Sequence, residues 1–237
     1  VLFRSYSNRH RQPLALDPDH VESPPMPSTQ ASLFSLIAET GGPALADQLR
    51  FILEVDKLKS IVRQSPLMTR DRNETDAEHT WHIATMAVVL ADFAGPEVDV
   101  MRAVRMLLVH DIVEIDAGDT FLYAAPEVHA AQEIAERAAA DRIFGLLPGP
   151  QGAELRALWD EFEAHESPDA HFARTMDRLQ PFLLNVFTDG MGWRKHGVRA
   201  SQVRTRMRVI ADGSPALHAL VERLIDESEA RGYLAPG

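Results

Sequence analysis

From residue 31 onward, apolar positions recur at helical spacing between Gly/Pro breaks, and no stretch shows the strict alternation of a half-buried strand. Thr75 and Glu78 form a T-x-x-E capping box, which opens a helix expected to run to about Phe93, before Gly95-Pro96 stops it. Asp99 is placed to cap the next helix. Its apolar positions Val100, Ala103, Val104, Leu107 and Leu108 lead to His110-Asp111. Further helices are expected over Glu127–Phe144, Gly152–Ala164, Pro168 to about Thr188, Ser201–Ile210 and Pro215–Ala230. Ser167-Pro168 and Ser214-Pro215 each read as an N-cap followed by an N1 proline. The pattern predicts an all-α chain folded as a single compact helical bundle over 31–237.

Residues 1–30 read differently. They mix Pro, Ser, His and Arg without periodicity, the composition of a disordered leader, with Met26 as a candidate true start. Asp17, Asp19 and Glu22 weaken a targeting-peptide reading. The whole chain has 237 residues, and its 24 basic against 35 acidic residues give a net charge of −11. Such a field repels polyanions and argues against a nucleic-acid polymer as partner. No apolar run approaches the ~18 residues needed to cross a bilayer, so no membrane partner is expected. The absence of cysteine removes disulfides, thiol nucleophiles and iron–sulfur ligation, leaving any metal to His, Asp or Glu. A reducing, cytoplasmic location fits that composition. GxGxxG, GxxxxGK[ST] and GxSxG motifs are all missing.

The candidate chemistry sits on three helices. Neighbouring helical side chains diverge by about 100°, so His110 and Asp111 share one ion only near a helix end or irregular turn. His79 shares a face with Ile83, Met86, Ala87 and Leu90 and points inward, with His82 as an alternative one turn on. Asp177 borders the apolar stripe Phe172, Met176, Leu179, Leu183, Val186. Pro181 cannot donate to the Asp177 carbonyl, so a bend is expected there. Each residue also has an ordinary reading, as a satisfied core histidine or as a salt-bridge partner of Arg174 or Arg178. Together His79, His110, Asp111 and Asp177 make a mixed N/O set suited to one divalent ion, Mn²⁺, Co²⁺, Fe²⁺, Ni²⁺, Zn²⁺ or Mg²⁺.

The order H…HD…D on an all-α chain resembles the HD-domain metal-dependent phosphohydrolases, and within them the YfbR-like 5'-deoxynucleotidase branch. The blocks are LKSIVRQSPLMTR, DAEHTWHIATMAVV, LLVHDIVEIDAGD and MDRLQPFLLN, spanning roughly residues 57 to 188. The resemblance implies an HD-type phosphohydrolase domain with His79, His110, Asp111 and Asp177 as metal ligands and Glu114 and Asp119 as essential acids. It makes Arg63 the arginine that approaches substrate phosphate. Glu114 lies one helical turn after His110, within reach of a water held at the metal. Asp119 follows Gly118 in a turn, and Arg63 offers a forked cation for phosphate oxygens. Their ordinary readings are a solvated face, a turn former and a surface charge. One departure is Gln64, where the branch has an aromatic residue, which bears on deoxyribose against ribose selectivity. Trp193, Arg194, Lys195 and His196 lie outside the shared blocks and read as a lid, a second basic contact, a dimer contact or a loop.

The implied activity is hydrolysis of a phosphomonoester, a nucleoside 5'-monophosphate, by water attack at the metal. The nearest alternative is an alarmone-type or other pyrophosphate or phosphodiester hydrolase, for which HDIVEID carries Glu114 but Ile115 in place of an acid. A catalytically silent metal- or nucleotide-binding regulator is the alternative from another class. The resemblance also implies a homodimer.

Overall fold

The computed structural model describes residues 28–235, and the expected leader falls outside the described residues except for its last three. Two helices not signalled by capping motifs come first, α1 (Ser28–Gly41) and α2 (Pro43–Val55), which pack on each other. Gly42, at φ 87°, makes the turn between them and Pro43 starts α2. A 3₁₀ turn (Asp56–Ser60) leads into a two-stranded antiparallel ribbon of β1 (Val62–Pro66) and β2 (Asn73–Thr75), with Val62 opposite Thr75. This ribbon corrects the expectation of a chain without strands. VRQSP and NET carry no apolar alternation, because the ribbon is held by its backbone pairing and by the charged side chains described below.

The remaining fold is helical. α3 (Asp76–Val89) begins with the expected capping box, in which Thr75 Oγ1 accepts from the Glu78 N–H and Glu78 caps the Thr75 N–H at 2.9 Å. It ends four residues earlier than the expected boundary, passing into a 3₁₀ turn (Ala91–Phe93). Asp99 caps α4 (Val100–Val109), accepting from the N–H groups of Met101 and Arg102. The chain tightens into a 3₁₀ turn (His110–Val113) and the short α5 (Glu114–Ala117), which Gly118 ends at φ 76°. α6 (Pro126–Phe144), α7 (Gly149–Ala164) and α8 (Pro168–Phe187) follow, α8 capped by Ser167 and containing Pro181. A six-residue α9 (Met191–His196) replaces the expected loop. The single helix expected over 201–210 is two, α10 (Ala200–Met207) and α11 (Ile210–Gly213), before α12 (Pro215–Ala230).

α8 is the axis of the bundle, packing against α3, α4, α7 and α11. Ile83, Ala87, Ala103, Met106, Leu107, Phe172 and Met176 are fully buried between these helices. Burying such side chains stabilises by ~1.5–3 kcal/mol each, which fixes how α3, α4 and α8 face one another. Among the described residues no helix is long and apolar enough to cross a membrane.

Candidate metal centre

α3, the turn after α4, and α8 each send polar side chains into one buried space. His79 is completely buried, and His110, Asp111 and Asp177 are buried to at least nine-tenths. His79 Nδ1 lies 3.0 Å from Gln180 Oε1, and His110 Nδ1 lies 2.8 Å from the Leu107 carbonyl. With each Nδ1 facing an oxygen, each Nε2 is turned toward the carboxylates. His79 Nε2 is 3.2 Å from Asp177 Oδ1 and 3.9 Å from Asp111 Oδ2. His110 Nε2 is 2.9 Å from Asp111 Oδ1 and 3.8 Å from Asp177 Oδ1, yet has no partner in hydrogen-bonding geometry. Donor atoms of His79, His110 and Asp177 all fall within 4.8 Å of one another.

Two imidazole nitrogens and two carboxylates facing inward, with the buried His110 Nε2 left without a hydrogen-bond partner, fit a divalent cation. The 3₁₀ turn accomplishes what a continuous helix would not, bringing adjacent His110 and Asp111 to the same point. His82, the alternative ligand, meets Gln180 Nε2 with its Nδ1 at 3.1 Å and stands behind the site.

A second acidic group shares Asp111. Carboxylate oxygens of Asp76, Asp111 and Glu114 lie within 4.8 Å of one another. Arg63 threads among them, its Nη1 3.0 Å from Asp76 Oδ1 and from Asp111 Oδ2, and 3.6 Å from Asp119 Oδ1. Its Nε is 3.6 Å from Glu74 Oε1. Burial lowers the Arg63 pKa, but Asp111, Glu114, Asp119 and Asp76 overcome it and raise it well above the usual value. Burial and Asp111 raise Glu114 well above the ordinary carboxyl range, and burial carries Glu74 to about 7 and, with Asp111, Asp76 to about 6. For His110, burial acts downward but Asp111 and Asp177 raise it to about 10, whereas burial and Arg63 keep His79 low and neutral. Burial acts upward on Asp111 and Asp177, yet neighbouring cations hold both below the usual range, Asp111 at about 2 through His110 and Arg63.

Arg63, His110, Asp111, Glu114, Asp119 and Asp177 line one cavity of about 390 Å³, and fully buried His79 meets Asp177 behind that lining. The structure therefore brings the seven candidate residues together. It also adds Glu74, Asp76 and Gln180, for which the sequence reading had no role. Their only sequence signal is position: Glu74 and Asp76 flank the capping Thr75, and Gln180 follows Asp177 by three residues as a polar interruption of an apolar stripe. At the rim, Lys195 Nζ is 3.4 Å from Gln64 Oε1 and His196 stacks on Phe121 with ring centroids 4.4 Å apart. Trp193 is instead buried against Phe182, an anchor rather than a lid.

The HD-domain family profile, described as "HD domain", matches residues 55–218, most of the chain and the whole of this centre. The chain is a member of the HD-domain family. A solved HD-type structure from Magnetospirillum magnetotacticum MS-1, described as a predicted metal-dependent phosphohydrolase, is 51% identical with a TM-score of 0.79, over 83% of this chain and 98% of that one. A human protein named 5'-deoxynucleotidase HDDC2 is 30% identical, covering 67% of this chain and 73% of its own. A Photorhabdus temperata protein named 5'-deoxynucleotidase yfbR is 25% identical, covering 56% of this chain and 70% of its own. This HD-domain protein is thus a metal-dependent phosphohydrolase, and the junction of α3, the post-α4 turn and α8 holds side chains that could bind a metal.

Proposed function

We propose that this HD-domain enzyme releases phosphate from nucleoside 5'-monophosphates, with His79, His110, Asp111 and Asp177 holding one divalent ion. The observation that carries the reading is the buried Glu114 carboxyl, beside the metal donors and open to a cavity of about 390 Å³, within the usual range for a small-molecule site. The names of the human and Photorhabdus relatives support a deoxynucleotide as the substrate class. Bound there, a divalent ion of the Mn²⁺, Co²⁺, Fe²⁺, Ni²⁺, Zn²⁺ or Mg²⁺ group supplies Lewis acidity and a lowered pKa for water.

The chain's own residues do the rest. Glu114, whose proton affinity burial and Asp111 raise, accepts the proton of the attacking water. Asp119, 3.6 Å from Arg63 at the cavity wall, accepts a hydroxyl of the sugar and fixes its orientation. Arg63 offsets part of the charge of Asp76 and Asp111 and presents a guanidinium to phosphate oxygens on that acidic wall. Gln64 and Lys195 at the rim offer polar groups to the sugar, which relaxes discrimination against ribose.

An exposed apolar stripe, Trp81 and Val88 on α3 with Met101 and Leu108 on α4, supports a homodimer. The test of function is phosphate release from a panel of 5'-deoxy- and ribonucleotides after metal removal and single add-back. Release dependent on metal and lost in Glu114→Gln, by about 10²–10⁴-fold, is expected. No release from any nucleotide by protein with one tightly bound ion overturns the substrate assignment.

A further inference from the structure

Opposite Arg63, the cavity wall carries a second cationic group that the functional reading does not use. Arg174 and Arg178 lie one turn apart on α8, on either side of Asp177, and His165 ends α7 beside them. Arg174 is 8% exposed, its guanidinium stacked 4.3 Å from the centre of the Phe162 ring, and its Nε donates to His165 Nε2. Its Nη groups reach Glu163 Oε1 and Asp177 Oδ2 only at 3.5 Å. Arg178 is looser still: it lies 3.8 Å from Asp177 Oδ2 and has no hydrogen bond to any described residue. Its side chain keeps a quarter of its surface, open to the cavity.

Two guanidiniums at i and i+4 repel each other and are a cost to α8 unless an anion sits between them and the cavity. His165 adds no charge to this pair. Burial and the two arginines lower its pKa to about 4, so it accepts from Arg174 as a neutral ring and fixes that guanidinium in place. Asp177 joins the two centres, since its Oδ1 faces the imidazoles while its Oδ2 faces the arginines. An anion on Arg178 therefore lies one carboxylate's width from the metal donors. Arg63, by contrast, commits its Nη1 to Asp76 and Asp111 and stands among four carboxylates, so much of its charge is already offset on its own wall.

We propose that Arg178, positioned by Arg174, takes non-bridging oxygens of the substrate phosphoryl group from the α8 side of the cavity, in addition to Arg63. The assignment deepens the phosphomonoesterase reading and rests on it for the identity of the anion. Arg178 contacts substrate, and Arg174 is a positioning residue. The forked, always-charged guanidinium spans two phosphate oxygens, and a lysine replaces only part of that recognition.

The test is calorimetric binding of inorganic phosphate to the metal-loaded full chain, with metal content measured on each sample. Arg178→Gln is expected to weaken phosphate binding by at least about tenfold at unchanged metal content, and Arg178→Lys to recover part of it. Arg174→Gln is expected to weaken phosphate less than Arg178→Gln, with recovery in Arg174→Lys. Equal phosphate affinity in Arg178→Gln and the unsubstituted protein overturns the proposal. So does a loss of phosphate binding that only tracks loss of metal, because Arg178 would then act through Asp177. If no nucleotide is turned over but phosphate binding still depends on Arg178, the subsite stands and the nucleotide assignment fails.

Discussion

Gln180 is the residue whose replacement most directly probes the metal centre without touching a ligand. It is 1% exposed, accepts from His79 Nδ1 at 3.0 Å and donates to Glu74 Oε2 at 2.7 Å. Gln180→Leu keeps the volume nearly constant and removes both bonds. The buried His79 N–H is then left without an acceptor, which costs ~1–3 kcal/mol, and the donor to a carboxylate is lost at a similar cost. Together these predict a destabilisation of roughly 2–6 kcal/mol in the metal-free protein, at about 2–4 °C in Tm per kcal/mol for a chain of this size. The effect on the metal is separate. Without its acceptor the His79 ring is no longer fixed with Nε2 toward Asp177, and loss of such an orienting partner lowers metal affinity by about 10–100-fold. Competition with a chelating dye for Mn²⁺ or Co²⁺ reads the affinity, and thermal melts with and without metal read the stability. The melting shift produced by saturating metal is expected to shrink by ~1.4 kcal/mol for each tenfold lost. Metal affinity within twofold of the unsubstituted protein, alongside the expected loss of Tm, would refute the assignment of Gln180 as the partner that orients His79.

Ile83 is fully buried where α3 meets the core, so Ile83→Ala is expected to cost ~2–5 kcal/mol by denaturant unfolding, with the metal donors unchanged in kind. Glu78 has its pKa lowered to about 2 by Arg72 and the Thr75 N–H, so its contribution to stability is present above the ordinary value of 4.5 and is lost as pH falls from there toward 2. Glu78→Gln is expected to flatten that part of the acid-stability curve by less than about 1 kcal/mol, since the pair is at the surface and salt screens it. Trp81 is 68% exposed on the apolar stripe of α3, and Trp81→Glu is expected to convert a dimer to a monomer by light scattering without altering the melt of the bundle. Metal uptake at neutral pH is expected to release protons, read calorimetrically as a dependence on buffer ionisation enthalpy, because Asp111 and Asp177 hold His110 at about 10 against burial. An identical binding enthalpy in all buffers would contradict it.

The parts of the fold legible in sequence are those governed by local chemistry. Thr75 with Glu78, Asp99, and Ser167 before Pro168 announce their helix starts because each cap is satisfied within three residues. The ribbon β1–β2 was hidden because its anchors are distant: Arg63 reaches Asp111, and Arg70, at φ 63°, reaches Asp189. The break between α10 and α11 has a tertiary cause as well. A Cβ on Gly213 would lie 2.3 Å from the His171 carbonyl, so α11 sits directly on the backbone of α8. α9 lay between two glycines that read as loop, yet Gly190 and Gly197 are its left-handed end residues, and buried Trp193 holds it down. For the site, residue type and order pointed to His79, His110, Asp111 and Asp177, which the fold brings together. Gln180, Glu74 and Asp76 were not legible, because their significance comes only from the distances that folding creates.

Those distances give the cavity two chemically different walls. On one, Arg63 is surrounded by Glu74, Asp76, Asp111 and Asp119, and the excess of buried carboxyls raises proton affinities, Glu74 to about 7. On the other, Arg174 and Arg178 face the same space, with Asp177 and Glu163 as their nearest acids and Glu133 and Glu136 also on the lining. A neutral ligand would profit from neither wall. A phosphomonoester profits from both, because its hydroxyl-bearing sugar can donate to carboxylates while its dianionic head can accept from guanidiniums. On the proposed reading, Asp111 and Asp177 join the two walls, since Asp111 meets Arg63 and Asp177 meets Arg174 and Arg178. The net charge of −11 is then no obstacle to an anionic substrate, since the acidic surface is screened over ~8–10 Å in salt and α8 brings two guanidiniums to the cavity.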